Sequence, residues 1–309
     1  MVPTYGQGHV ILRAVDSALA QDYGNLEVIV SDDASPDDTL EIVARRTDPR
    51  LTYHRNPVNL GRVANYRHTL YDLASGEWVV NLDGDDYFTD PHFISSAVGL
   101  AMSDDRIVIV SARQTTKGAS SQTESQLPPE GAIDGRDLLL HLHDARYSFT
   151  HLSTLYRRAP ALSVDFYRAD VLSTDLESLF RLACDGRVAY LDRNVGVWVK
   201  HGLNASSTRD ATLLFQNLSI WPSVFEWGIA RGIPRAKGVA VLRRQLRYYV
   251  YGDLYYLVHS GAATAAIAYA RRFGATFGWD LLVGALAELA LKLPYRIALE
   301  TGKASKSSD

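Results

Sequence analysis

The chain has 309 residues, 47% of them hydrophobic and 22% charged, which excludes disordered, collagen-like and disulfide-stapled classes and allows one large domain with an appendage, or two domains. Its 32 Lys and Arg against 35 Asp and Glu give a formal net charge of −3, so bulk charge builds no polyanion-binding surface and nucleic acid is not expected as a partner. One cysteine, Cys184, leaves no internal disulfide, and no secretory pattern opens the sequence, so a cytoplasmic location is expected.

Apolar residues at helical spacing, Val10, Ile11, Ala14, Val15, Ala18 and Leu19, predict an amphipathic helix from Gly8 to Ala20. Leu26 to Val30 reads as a β-branched strand that stops at Ser31-Asp32-Asp33-Ala34-Ser35-Pro36, and a helical pattern through Thr39, Ile42 and Val43 follows. The same grammar repeats: strand Leu51 to His54, helix Gly61 to Leu73, strand Glu77 to Leu82 ending in Asp83-Gly84-Asp85-Asp86, helix Pro91 to Met102, strand Arg106 to Val110. From Gln114 to Gly135 the composition turns to Ser, Thr, Gln, Pro and Gly, which reads as a mobile loop. A helix near Asp137 to His143, a strand Leu152 to Tyr156, a helix Thr174 to Cys184, and two short strands, Val188 to Leu191 and Val195 to His201, come next. Beyond Arg209 the pattern is helical. The fold class expected is α/β, a mostly parallel Rossmann-like nucleotide-binding sheet flanked by helices and followed by a helical C-terminal region. The strand before the Gly8 helix has only Met1 to Tyr5 available, so it is either a stub or begins upstream of Met1; it is expected in the middle of the sheet.

Ligands of such a sheet sit outside the carboxyl ends of the strands, and both acidic clusters fall at that edge. Asp83, Asp85 and Asp86 are three carboxylates within four residues, which repel one another unless a cation or solvent offsets them. Hard oxygen ligands suit Mg²⁺ or Mn²⁺, which are commonly held by one or two carboxylates together with substrate phosphates. A lone Asp-Gly would read as a turn and no more. At Asp32-Asp33 a carboxylate at strand end suits a base or a ribose hydroxyl, while Asp37 or Asp38 suits the cap of the following helix.

Val2-Pro3-Thr4-Tyr5, Val15 to Gln21, Leu26 to Ser35, Asn59-Leu60-Gly61 and Leu82 to Asp86 resemble, in order and spacing, the family 2 glycosyltransferases with the GT-A fold, closely to about residue 115 and more loosely to about 207. The resemblance implies a nucleoside-diphosphate-sugar donor, a UDP-sugar above others. Pro3, Thr4, Tyr5, Asn59 and Gly84 would line its pocket, Asp33 with Asp32 would contact the nucleoside, and Asp83 the ribose or donor sugar. Asp85 would hold the metal on the diphosphate, with Asp86 and His201 as further metal-site residues and Asp86 also supporting the ligand loop. The segment Ser173 to Ala183 is similar to the one that carries the family's catalytic Asp, here Asp175, with Glu177 the spare candidate. A carboxylate base on the acceptor side also fits the chemistry of a sugar hydroxyl attacking an anomeric carbon, although an acid there equally suits a helix N-terminus. Val199 stands where the family often has Arg two residues before the His, so Lys200 or an Arg elsewhere is expected to meet the diphosphate. His151 is read as lining the acceptor pocket.

The resemblance therefore implies an inverting, metal-dependent glycosyltransferase acting on a saccharide or lipid-linked acceptor, in a catalytic domain over 1–207 with donor half to about 115 and acceptor half from 116. The alternatives are a catalytically inactive sugar-nucleotide-binding subunit and a sugar-nucleotide pyrophosphorylase, for which Gly6-Gln7-Gly8 would be a thin phosphate loop. Residues 208–300 form a helical region. Its apolar stretch Phe277 to Leu299 is broken by Asp280, Glu288, Lys292, Pro294 and Arg296, so it does not span a membrane, but 261–300 suits peripheral contact with the inner membrane face. Residues 301–309 are expected to be a disordered tail.

Overall fold

The computed structural model describes residues 1–287, except 119, 120, 129, 130, 143, 148, 203 and 209; the expected disordered tail and the end of the apolar stretch lie outside the described residues. In chain order the elements are β1 (Val2–Thr4), α1 (Ile11–Leu19), β2 (Val28–Asp32), α2 (Thr39–Val43), β3 (Leu51–Arg55), α3 (Arg62–His68), β4 (Trp78–Val79), β5 (Tyr87–Phe88), α4 (Phe93–Ala101) and β6 (Ile107–Lys117). The acceptor half adds β7 (Gln122–Glu124), β8 (Gly131–Asp134), α5 (Gly135–Leu140), β9 (Thr154–Arg157), α6 (Arg158–Ser163), α7 (Thr174–Ala183) and β10 (Arg187–Val199). Helices α8 (Ala211–Asn217), α9 (Ile220–Ala230), α10 (Arg235–His259) and α11 (Ala263–Phe277) follow.

The hydrophobic periods explain the layers. Helix α1 buries Ile11, Ala14, Val15 and Ala18, one stripe three and four residues apart, against the sheet. All five residues of β2 are buried, as expected of a strand with helices on both faces. Parallel pairing joins β1, β2 and β3, with Thr4 opposite Asp32 and Asp32 opposite Arg55. On its other side β1 is bonded to the extended segment after β4: the Met1 amine donates to Val80 O (2.9 Å), Leu82 N to Met1 O (2.9 Å) and Gly84 N to Pro3 O (3.2 Å). Short as it is, β1 lies in the middle of the molecule's sheet system. The second half runs β4-β9-β6-β10-β5 and is mixed: β6 and β10 are parallel, whereas β9 is antiparallel to both β4 and β6.

Several expectations need correction. The stretch 114–135 is not simply a loop, because β6 continues to Lys117, turns back as β7, and β8 then pairs with β10. The strand residues here are polar, Gln114-Thr115-Thr116-Lys117 and Gln122-Thr123-Glu124, and a polar strand carries no hydrophobic period to reveal it. The two short strands after Gly186 are one strand, β10, whose register with β6 shifts around Asn194. Only Trp78 and Val79 of the Glu77 to Leu82 strand form a regular ladder. The helix expected to reach Leu73 is α3 plus one wide π turn, and α6 was not foreseen.

Two cores result. One sits under β1, β2, α1 and α4; the other joins Tyr156, Phe180, Leu182 and Val188 of the acceptor half to Trp221, Phe225, Leu246, Val250 and Leu254 of the C-terminal helices, which are therefore packed onto the catalytic half. Among the described residues, no helix is long and apolar enough to cross a membrane.

Candidate functional site

Because β1, β2 and the segment 80–84 run parallel, Thr4, Asp33 and Asp83 arrive at one edge. Asp33 is 3% exposed, and its carboxylate is surrounded by donors: Asn56 Nδ2 (2.9 Å) and Leu60 N (2.8 Å) on Oδ1, and Gly61 N (2.9 Å) on Oδ2. Gly61 has φ +90°, a conformation that only glycine adopts without strain and that turns two successive N–H groups onto one carboxylate. Asn59 stands exposed on that loop with Oδ1 accepting from Gly61 N (3.0 Å). Asp32, fully buried, faces away from the edge: Ser35 N donates to it at 2.8 Å, and the Ser35 and Tyr53 hydroxyls also donate to its two oxygens. Asp32 thus shapes the loop that aims Asp33. Asp37, by bonding Gly8 N (2.9 Å) and Thr39, ties the start of α1 to the start of α2. Gly6 N goes to Ser35 Oγ (2.9 Å), so the glycines of Gly6-Gln7-Gly8 spend their N–H groups inside the protein rather than on a phosphate.

The second cluster divides its carboxylates by environment. Gly84 rests on the β1 loop, where a β-carbon would stand 2.9 Å from Ile11 Cδ1 and 3.0 Å from Thr4 Oγ1. Asp83 Oδ1 accepts from Tyr66 Oη (2.9 Å) and Asn81 Nδ2 (2.9 Å), and His151 Nδ1 lies 3.8 Å from Oδ2. Burial works against its charge, but His151, Tyr66 and Arg62 together hold its carboxyl below the usual carboxylate range. Asp85 Oδ2 meets His201 Nε2 at 2.7 Å, with Asn204 Nδ2 at 3.4 Å. Asp86 turns inward, 2% exposed, with Oδ1 accepting from Val199 N (2.8 Å) of β10. Burial, then the charges of Asp83 and Asp85, push its carboxyl well above the usual range, and its bond from Val199 N ties β10 to the loop.

On the acceptor side, Asp175 and Glu177 both occupy the first turn of α7 but point differently. Asp175 borders the cleft. Glu177 is fully buried and serves as an anchor, bonded to Arg168 Nε (3.0 Å) and Ser223 Oγ (2.5 Å) with Arg181 Nη1 at 3.5 Å. Two cleft residues escaped the sequence reading. Arg62, directly after Asn59-Leu60-Gly61, is fixed by Val171 O (2.9 Å) and Leu172 O (3.1 Å), sits over the Tyr66 ring and brings a guanidinium to the cleft. Its place at the start of a helix after a glycine loop was the available signal. Asn204, three residues after His201, was the other. His151 is largely enclosed; desolvation opposes its positive charge, whereas Asp175 and Asp83 push its pKa up.

One cleft of about 840 Å³ collects Pro3, Thr4, Tyr5, Asp33, Asn59, Asp83, Asp85, Asp86, Arg62, His151 and Asp175. Asp32, Gly84 and Glu177 do not line it, and His201 reaches it through Asp85. Among the described residues, no three His, Cys, Asp or Glu side chains converge to hold a metal by themselves. Asp85 with His201 still offers one oxygen and one nitrogen donor beside the cleft, a set that suits a divalent ion whose other ligands are phosphate oxygens and water.

The chain matches the model of glycosyl transferase family 2 over residues 1–161. It is 30% identical over 202 residues to the uncharacterized protein Rv1520 of Mycobacterium tuberculosis, a match covering 64% of this chain and 57% of that protein. Over 88 residues it is 35% identical to the UDP-Glc:alpha-D-GlcNAc-diphosphoundecaprenol beta-1,3-glucosyltransferase WfaP of Escherichia coli, 28% of this chain and 35% of that one. The fold is that of TarS from S. aureus, residues 1–349, crystallised with UDP-GlcNAc: TM-score 0.64, 19% identity, covering 96% of this chain and 81% of that one.

Proposed function

The chain belongs to glycosyl transferase family 2, and from that premise we propose that it transfers a sugar, with inversion, from a nucleoside-diphosphate-sugar to an acceptor hydroxyl. The convergence of Asp33, Asp83, Asp85, Arg62 and Asp175 on one cleft carries this reading. Asp33 and the loop it organises face the nucleoside, and Asp83 the ribose or donor sugar. Arg62 offers a fixed guanidinium to the diphosphate, and Asp175 takes the proton of the acceptor hydroxyl as its oxygen bonds the anomeric carbon and the bond to phosphate breaks. A Mg²⁺ or Mn²⁺ held by Asp85 and His201 would supply charge stabilisation for the departing diphosphate. Asp86 is left out of that ligand set in this reading because its Oδ1 accepts from Val199 N of β10. A UDP-sugar is favoured as donor, since TarS binds UDP-GlcNAc and WfaP is named for UDP-Glc.

The acceptor proposed is a saccharide on a lipid diphosphate, by analogy with WfaP, reached from the cytoplasmic face of a membrane. Support comes from the C-terminal helices. Trp279, Val283 and Leu286, spaced four and three residues apart, are 57%, 64% and 42% exposed. Residues 235–287 carry seven Lys and Arg against two Asp.

The experiment is UDP release from UDP-sugars with Mn²⁺ present and absent, comparing the native chain with Asp175→Asn. The variant should lose transfer by roughly 10²–10⁴-fold, the usual contribution of a positioned base, while UDP affinity by calorimetry changes less than about threefold. Retained transfer removes Asp175 as the base, and no release from any donor overturns the enzymatic reading.

A further inference from the structure

We infer that His151 is a positioning residue for transfer, the link in a continuous chain of contacts that fixes the donor-side carboxylate Asp83 relative to the helix carrying Asp175. The inference rests on the functional reading above and adds a residue to it. His151 lies just before β9, at the floor of the cleft, with its side chain 10% exposed. Asn81 Nδ2 donates to Asp83 Oδ1 (2.9 Å) and meets His151 Nδ1 at 3.0 Å. In the neutral ring that amide orientation makes Nδ1 the acceptor and leaves Nε2–H for the Tyr167 hydroxyl, 3.1 Å away; a protonated ring keeps the Nε2–H bond and turns Nδ1–H toward Asp83. The backbone N–H of Tyr167 in turn donates to the buried Ser178 Oγ (2.8 Å), one helical turn beyond Asp175 on α7.

Two features set this apart from ordinary packing. Tyr167 is held at φ +59°, a left-handed conformation that bulky residues rarely adopt, and strain of this kind persists where the surroundings over-determine a geometry. A buried imidazole with both nitrogens engaged is also a costlier filler than an apolar side chain of the same size. Its ring is clamped edge-on between Tyr66 (5.2 Å, 76°) and Tyr167 (5.8 Å, 85°), and the Tyr66 hydroxyl donates to the same Asp83 oxygen that Asn81 serves. Asp83 is thus oriented from two sides; the hydrogen-bonded route to Tyr167 and α7 runs through His151, while Tyr66 touches Tyr167 by ring contact (5.3 Å).

A double-mutant cycle on the full chain tests this, with His151→Ala, Tyr167→Phe and their combination, and His151→Gln as the conservative variant. Expected are at least a fivefold loss of kcat for each single variant with donor KM within threefold, a double variant no worse than His151→Ala, and recovery of at least a third of the lost rate by His151→Gln. Unchanged kcat in the single variants, or losses that multiply in the double variant, would overturn the inference. If His151→Ala melts more than about 10 °C below the native chain, Tyr167→Phe and His151→Gln, which preserve volume, carry the same comparison. If the native chain releases no UDP from any donor, the functional reading fails. The coupling is then read from UDP affinity with Mn²⁺ by calorimetry in the same variants, where independent losses overturn it.

Discussion

Asp32 and Asp33 are neighbours in sequence and opposite in environment. The first is fully buried among Ser35, Tyr53 and Arg55, and the second accepts from Asn56, Leu60 and Gly61 at the cleft. Alternation along an extended backbone sends successive side chains to opposite faces, so only one of two adjacent acids can meet a ligand. Asp85 and Asp86 part in a different way, in a turn closed by Asp86 N on Asp83 O (2.9 Å) that sends Asp85 to His201 and Asp86 to β10. Glu177 was legible as an acid near the helix start; that it points into Arg168 and Arg181 was not, because those partners follow from packing. At this scale Gly84→Ala is informative: its β-carbon would press on the side chains of Gln7, Ile11 and Thr4, which must shift at the donor edge of the cleft. A loss of about 1–3 kcal/mol by denaturant titration is expected from overpacking, together with weaker UDP binding by calorimetry.

Helices and strands were read where a hydrophobic period announced them, as in α1, α4 and β2, and missed where polar residues formed the ladder, as in the end of β6 and in β7. Length explains the division of β10 as well: Asp192, Arg193 and Asn194 interrupt its apolar pattern, although the backbone stays paired through register shifts. The α10–α11 pair carries a testable titration. Burial pushes the Asp253 carboxyl, bonded by Tyr269, from 3.8 up to about 6. The folded state therefore favours the protonated form. Nothing is lost below about pH 4; stability falls as pH rises toward about 6, because the unfolded chain ionises first, and the penalty is constant above. Asp253→Asn should stabilise the protein by about 1–3 kcal/mol at pH 7.5 and by nothing measurable at pH 4, as thermal melts at the two pH values would record. An equal effect at both would assign the change to the hydrogen bond instead.

At the scale of the whole molecule, charge and apolar surface are unevenly placed. The net −3 of the chain coexists with the excess of Lys and Arg over residues 235–287 and with the Trp279, Val283 and Leu286 stripe. Co-sedimentation with vesicles containing phosphatidylglycerol should retain the native chain and fail for Trp279→Ser combined with Val283→Ser. Salt should weaken it, since screening acts on exposed charges at about 8 Å in physiological salt. Equal retention of the variant would remove this face as the contact. Chelation provides the other whole-molecule test: EDTA should abolish UDP release and Mn²⁺ or Mg²⁺ restore it, whereas unchanged release would leave Asp85 and His201 as a simple hydrogen-bonded pair.

The sequence by itself determined the alternation of strands and helices and the loops that carry the acidic residues, because hydrophobic period, turn chemistry and motif spacing are local properties written in consecutive residues. Only the tertiary structure decided that Asp33 and not Asp32 meets the cleft, that Arg62 joins it, that Glu177 anchors α7, and that the C-terminal helices share a core with the acceptor half. Those outcomes depend on the direction of a side chain and on partners tens of residues distant, such as Asp83 with His151 or Asp86 with Val199, which the chain brings together only when it folds.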